Sequence, residues 1–198
     1  MVKKSVNTDI IYLILLISLF FVIFSWILYF SSDLNKFFFN KIEPNNMKGV
    51  AVFQGKLKGG YCTFIQDSPK SPVKVNGHVQ NLSPGKHGFH IHTYGDIRKT
   101  DCTKCGGHWN PRNNDHGSLT DENSHAGDLG NIVVRDDGTA DFNLKTSKIT
   151  LYGKESIIGR SIVVHEDPDD LGKGGFPDSL TTGHAGARTD CAVIGYAS

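Results

Sequence analysis

Two kinds of hydrophobic pattern divide this 198-residue chain. From Ile10 to Phe30 the apolar positions are nearly continuous, IIYLILLISLFFVIFSWILYF, with no charge between Asp9 and Asp33. After Met47 they come in short alternating stretches: GVAVFQG, GYCTFIQD, PVKVNGHVQNL, HGFHIH, GNIVVRDDG, GTADFNLKT, GRSIVVHED and DCAVIGYA. Each is rich in β-branched or aromatic residues and bounded by Gly, Pro, Asn or Asp. A period of two sends alternate side chains to opposite faces of a strand. About eight such strands predict an all-β sandwich or barrel. Asp137-Gly138 between two of them reads as a hairpin turn. Residues 94–131 and 166–190 break the rhythm. Loops that long in a compact domain are usually functional.

The N-terminal run has 21 residues. As a helix it would extend about 31 Å, enough to cross the hydrocarbon core of a bilayer. Trp26 and Tyr29 lie near one end, where an aromatic belt would sit. Three readings stand: an uncleaved signal anchor, a cleaved signal peptide and a buried core helix. The first is favoured. A cleaved signal has an apolar core of about 7–15 residues and ends at small residues, whereas this run is longer and closes on Tyr29-Phe30-Ser31-Ser32. The expected organisation is a flank at 1–9, a transmembrane signal anchor at 10–32, a linker at 33–46 carrying Pro44 and Asn45-Asn46, and a globular domain at 47–198. Lys3 and Lys4 precede the span, while Lys36 and Lys41 are offset by Asp33 and Glu43. This bias predicts a single-pass membrane protein with its domain on the extracytosolic or lumenal side.

Charge changes the picture by exclusion. Lys and Arg number 21 against 20 Asp and Glu, and four bases and three acids lie before Lys48, so the domain is formally neutral. No nucleic-acid partner is expected of it.

Histidine adds chemistry. In HGFHIHTYGD, residues 87–96, His90 and His92 share one strand face. His108, His116, His125 and Asp128 fall in the first long loop, and His165 ends the strand SIVVH. Imidazole with a carboxylate companion suits zinc and copper. Six imidazoles exceed one tetrahedral site, which suggests two metals sharing a ligand. Any single loop histidine is more simply a solvated side chain, but the ordered set is not.

The motifs HGFHIHTYGD, GHWNP, HAGDLGN, IIGRSIVVHEDPDDLGKGG and TGHAGARTDCAVIG occur in that order. From about Gly49 to Ser198 the chain resembles copper/zinc superoxide dismutase. The resemblance implies an eight-stranded Greek-key barrel or sandwich with two functional loops, here preceded by one hydrophobic helix. It implies one copper and one zinc per chain, superoxide as substrate, and dismutation to molecular oxygen and hydrogen peroxide. His90, His92, His108 and His165 match copper ligands; His108, His116, His125 and Asp128 match zinc ligands, so His108 matches the bridge. Asp169 matches a carboxylate joining a copper ligand to a zinc ligand. Arg188 matches the arginine beside the copper channel and, with His108, a catalytic role. Cys102 and Cys191 match an intrasubunit disulfide. IIGR and VIGYAS resemble segments that make a homodimer face.

Several residues fall outside that pattern. Cys105 completes CTKC, which leaves a Cys102–Cys105 bond as an alternative to the implied disulfide. Cys62 reads as a small buried hydrophobe, His78 as an ordinary strand residue, and His87 as a structural histidine tying backbone. His184, in TGHAGAR, could add a pH-dependent charge near the channel. FPDSLTT, between Gly175 and Gly183, has no Lys, so Lys173 and Arg188 are the cations expected to steer an anion. Asn81-Leu82-Ser83 is a glycosylation sequon weakened by Pro84. A second class of function is a non-catalytic copper/zinc-binding relative, either a chaperone-like domain or a copper-sequestering decoy. The intact ligand set and Arg188 argue against it.

Overall fold

The computed structural model describes residues 8–40 and 46–198, with side chains in the N-terminal helix described for residues 15–31. Contacts divide the chain into Met1–Pro44 and Asn45–Ser198. The first unit holds one helix, α1 (Thr8–Asn40). It runs through residues 33–40, which the sequence reading assigns to a linker. The reason is local: no Pro or Gly interrupts the chain before Pro44. Residues 1–7 of the expected flank and 41–45 of the expected linker lie outside the described residues. Among the described residues no helix is long and apolar enough to cross a membrane, so the span expected at 10–32 gains no support there.

The second unit is two antiparallel sheets. β1 (Met47–Val52), β2 (Tyr61–Gln66), β3 (Val73–Val79), β6 (Ala140–Thr146) and β9 (Gly195–Tyr196) form one, in the order β6-β3-β2-β1-β9. β4 (Gly85–His92), β5 (Asp128–Val134), β7 (Ser161–His165) and β8 (Arg188–Val193) form the other, in the order β5-β4-β7-β8. The ladders are separate, so of barrel and sandwich the chain forms a sandwich. All eight alternating stretches become strands, the last divided at Ile194 into β8 and β9.

The hairpin expected at Asp137-Gly138 is a corner instead. Arg135 and Thr139 close a tight turn, with Gly138 at φ +79°, but β5 and β6 belong to different sheets. Turn chemistry fixes a local reversal; partners are chosen by burial. β6 pairs along its whole length with β3, from Val73↔Thr146 to Val79↔Ala140.

The core explains the site. Phe53, Phe64, Phe89, Ile91, Ile132 and Ile162 are buried together between the sheets. Each such side chain contributes about 1.5–3 kcal/mol of burial. On β4, Phe89 and Ile91 take the inner face, so the period of two turns His90 and His92 outward. That outer face is nonetheless buried, because residues 93–127 and 166–187 fold over it. A segment of the first loop lies along the end of β4: the Trp109 amide donates to the Ile91 carbonyl at 2.7 Å, and the Ile91 amide to the Gly127 carbonyl at 2.9 Å. A side chain at Gly127 would collide with the Ile91 carbonyl oxygen. Arg160 caps this packing, its guanidinium 3.2 Å from the Trp109 ring centroid.

Candidate metal centre

Loop and strand together gather the histidines into adjoining groups. His90, His92, His108 and His165 each offer one nitrogen to a common point, as do His108, His116, His125 and Asp128 with a nitrogen or carboxylate oxygen; within each group these atoms lie within 4.8 Å of one another. His108 belongs to both. Its Nδ1 lies 2.8 Å from Asp128 Oδ1 and 3.4 Å from His125 Nδ1. Its Nε2 is buried and has no hydrogen-bond partner.

Other hydrogen bonds fix which nitrogen each ring presents. His92 Nδ1 donates to the Gly106 carbonyl at 2.9 Å, leaving Nε2 facing His165 Nε2 at 3.4 Å. His90 Nε2 donates to Asp169 Oδ2 and His116 Nε2 to Asp169 Oδ1, both at 2.8 Å. One carboxylate therefore orients a ring of each group, and the opposite nitrogens, His90 Nδ1 and His116 Nδ1, are buried without a hydrogen-bond partner. His116 Nδ1 does lie 3.0 Å from Asp128 Oδ1, but without hydrogen-bonding geometry. Two donor atoms facing one point suit a cation between them. Unpartnered buried nitrogens are costly unless something binds them, and imidazole with carboxylate is the donor set of zinc and copper. The residues therefore fit both metals.

Electrostatics separates the two groups. Burial, reinforced by the charge His90 would carry, pushes His108 down to about 3 despite Asp128. Burial with His90 and His108 brings His165 to about 2, and burial and His108 lower His92 well below the usual imidazole range. These rings are neutral at pH 7, with lone pairs free. His116 goes the other way: burial opposes its charge, but Asp128 and Asp169 outweigh burial and raise it to about 9. Both carboxylates are held below the usual range by their histidines, against burial.

Side chains far along the chain position these groups. Asn131 on β5 clamps the Asp169 backbone: its Oδ1 accepts from the Asp169 amide at 2.7 Å and its Nδ2 donates to the Asp169 carbonyl at 2.9 Å. Sequence reading did not find Asn131 as a positioning residue, and no pattern signals a contact 38 residues away. Gly183, at φ +67°, leaves room for the Asp169–His116 bond, because a Cβ there would strike both groups. His87 Nδ1 bonds the His165 carbonyl at 2.9 Å, a backbone tie rather than a ligand position.

Arg188, at the start of β8, reaches back to the first loop. Its Nη1 donates to the Cys102 carbonyl at 2.6 Å and its Nη2 to the Gly106 carbonyl at 2.7 Å. It shares a cavity of about 370 Å³ with His92, His108, His165, Asp167, Asp178 and His184. His184 stacks on Phe176 at 3.8 Å and bonds Asp178 at 2.7 Å. Lys173 lies 3.5 Å from Asp121 instead. Cys102 and Cys191 form a disulfide, and Cys62 and Cys105 are free and buried. His78 on β3 pairs with Asp141 at 2.8 Å.

A double-layered antiparallel sandwich with two ligand groups hinged on one imidazole defines a class of histidine-rich dinuclear domains. The family model for Copper/zinc superoxide dismutase (SODC) matches residues 58–194. The chain belongs to that family.

Proposed function

We propose that this chain dismutes superoxide, two superoxide anions and two protons giving one molecular oxygen and one hydrogen peroxide. The observation that carries the reading is His108: its Nδ1 faces the group containing Asp128, its Nε2 faces the group containing His90, His92 and His165, and the cavity beside it holds Arg188. His90, His92, His108 and His165 would hold copper; His108, His116, His125 and Asp128 would hold zinc. Copper would supply the one-electron couple, and zinc, which has no redox chemistry, would hold the bridge and the loop.

The chain's own residues supply the rest. Arg188 presents a fixed guanidinium to a small anion, drawing it in and orienting it. The Gly106 carbonyl accepts from both Arg188 and His92, so anion site and ligand ring are set by one backbone oxygen. His108 can hold a proton at Nε2 while Nδ1 stays engaged by the Asp128 side. Asp169 keeps His90 and His116 in the tautomers that aim Nδ1 at the metals. Two further proposals concern setting. The domain pairs with a second copy through the region of Ile158 and β9, which exposes Tyr196. The N-terminal helix anchors it to a membrane with the domain on the extracytosolic side. The uncharged run at 10–30 and the exposed apolar side chains from Leu15 to Phe30 support that; carbonate extraction and protease protection test it.

The full chain, loaded with copper and zinc, should bind one of each and consume superoxide rapidly. His165→Ala should leave it folded with at least about a hundredfold less activity. Full activity in that variant would refute the copper assignment, and both metals bound without turnover would point to a non-catalytic relative.

A further inference from the structure

Three of the four cysteines lie in one place. Cys102, Cys105 and Cys191 pack with Val163 in a small buried cluster of their own. The Cys102–Cys191 disulfide spans 89 residues and ties the first loop to β8. Cys105 is a free thiol, fully buried against that bond, and its sulfur donates weakly to the Asp96 carbonyl at 3.6 Å. Cys62 sits on β2 in the main core, where burial raises its pKa strongly.

The CTKC motif also has the right shape for a second bond. Residues 103–105 form a single 3-10 turn, closed by the Cys105 amide donating to the Cys102 carbonyl at 3.1 Å. A turn closed from i to i+3 holds its end Cα atoms within about 7 Å, and disulfides span Cα separations of about 4.4–6.8 Å. The turn thus holds the Cys102 and Cys105 backbones close to the separation a disulfide needs, and the existing 102–191 pair has its Cα atoms 6.0 Å apart. Cys191 lies at the wall of a cavity of about 500 Å³ rimmed by Lys56 and Lys99.

We propose that Cys102, Cys105 and Cys191 form a thiol–disulfide exchange site in which Cys105 displaces Cys191 from Cys102. The Cys105 thiol loses its proton and its sulfur attacks Cys102 Sγ. The 102–105 bond forms, the 102–191 bond breaks, and Cys191 leaves as a thiolate that takes up a proton. One thiol and one disulfide stand on each side, so no oxidant or reductant is needed. The resting form is the one the structure holds, with 102–191 bonded and Cys105 free. The exchanged form releases the first loop from β8 and presents a Cys191 thiol to the cavity, where a small electrophile can capture it. Exchange also reaches the anion site, a consequence that rests on the proposed dismutation. Both carbonyls holding the Arg188 guanidinium, those of Cys102 and Gly106, flank the turn that rearranges.

The test is native alkylation of the full metal-loaded chain with iodoacetamide at about pH 8, near an ordinary thiol pKa, followed by non-reducing peptide mapping. In the wild type, the 102–191 peptide should decline with time as a 102–105 peptide with alkylated Cys191 appears. In Cys105→Ser and Cys105→Ala, Cys191 should be labelled at least about tenfold more slowly, with 102–191 intact. Superoxide consumption should fall in step with the wild-type exchange. Labelling of Cys105 with 102–191 retained, or equal labelling of Cys191 in the variants, would overturn the proposal. The mapping needs no activity, so a chain that exchanges but never consumes superoxide would refute the dismutation and leave the exchange standing.

Discussion

On one side of His108, His92 and His165 line a cavity with Arg188; on the other, His116, His125 and Asp128 do not reach that cavity. The open side is all imidazole, and burial with the charge of neighbouring rings holds His92, His108 and His165 neutral at pH 7. The closed side surrounds the Asp128 carboxylate, which together with Asp169 keeps His116 charged in the absence of metal. An open position suits a site that exchanges small anions, and a closed set suits one that organises structure. The two sides use the same side chain, so the difference comes from where Asp128 stands.

Removing that carboxylate should have the largest effect. Asp128→Ala deprives the His125 and Gly117 amides and the His108 and His125 rings of their acceptor, and removes the charge beside His116. Zinc binding should be abolished and the domain destabilised by about 3–5 kcal/mol, as for a broken buried ion pair. Metal analysis and thermal unfolding check this, and retained zinc at unchanged stability would erase the contrast.

Proton competition is the next contrast. His116, raised to about 9 without metal, must lose a proton to bind zinc. Zinc affinity should rise about tenfold per pH unit between pH 7 and 9, then level off. The stability sign is opposite. A raised folded pKa stabilises the metal-free domain fully below the unfolded value of about 6.5, and that contribution is lost as pH rises through about 9. Calorimetry in two buffers should show about one proton released per zinc at pH 7.5. His92 and His165, already neutral, should show no matching release on copper binding.

Smaller effects should follow from the residues that orient the rings. Arg188→Ala should slow superoxide consumption by about tenfold or more and flatten its dependence on salt, because a steering charge is lost. Stopped-flow rates across ionic strength decide this. Asn131→Ala frees the Asp169 backbone and should weaken binding at both sides by about tenfold, as outer partners of metal ligands do. A loss confined to one metal would show that Asp169 does not couple them.

Much of this was legible along the chain. All eight alternating stretches are strands, and the period of two does turn His90 and His92 to one face. The pattern did not say which face. Phe89 and Ile91 are as apolar as any core pair, but a histidine face becomes buried only when two distant loops close over it. The hairpin reading failed because Asp137-Gly138 encodes a reversal and not a partner. Asn131 escaped notice because an amide carries no periodic signal.

Local chemistry is written residue by residue, so the sequence alone determined the strands, the long loops, the donor types and the resemblance to a metal-binding family. That resemblance already implied the shared His108 and the joining Asp169; only tertiary structure decided which ring nitrogens are left free, that Asn131 clamps the Asp169 backbone, and that Cys105 packs beside a disulfide closed 89 residues apart. Those outcomes depend on burial and on angles between side chains brought together by sheet packing, and no spacing along the chain encodes them.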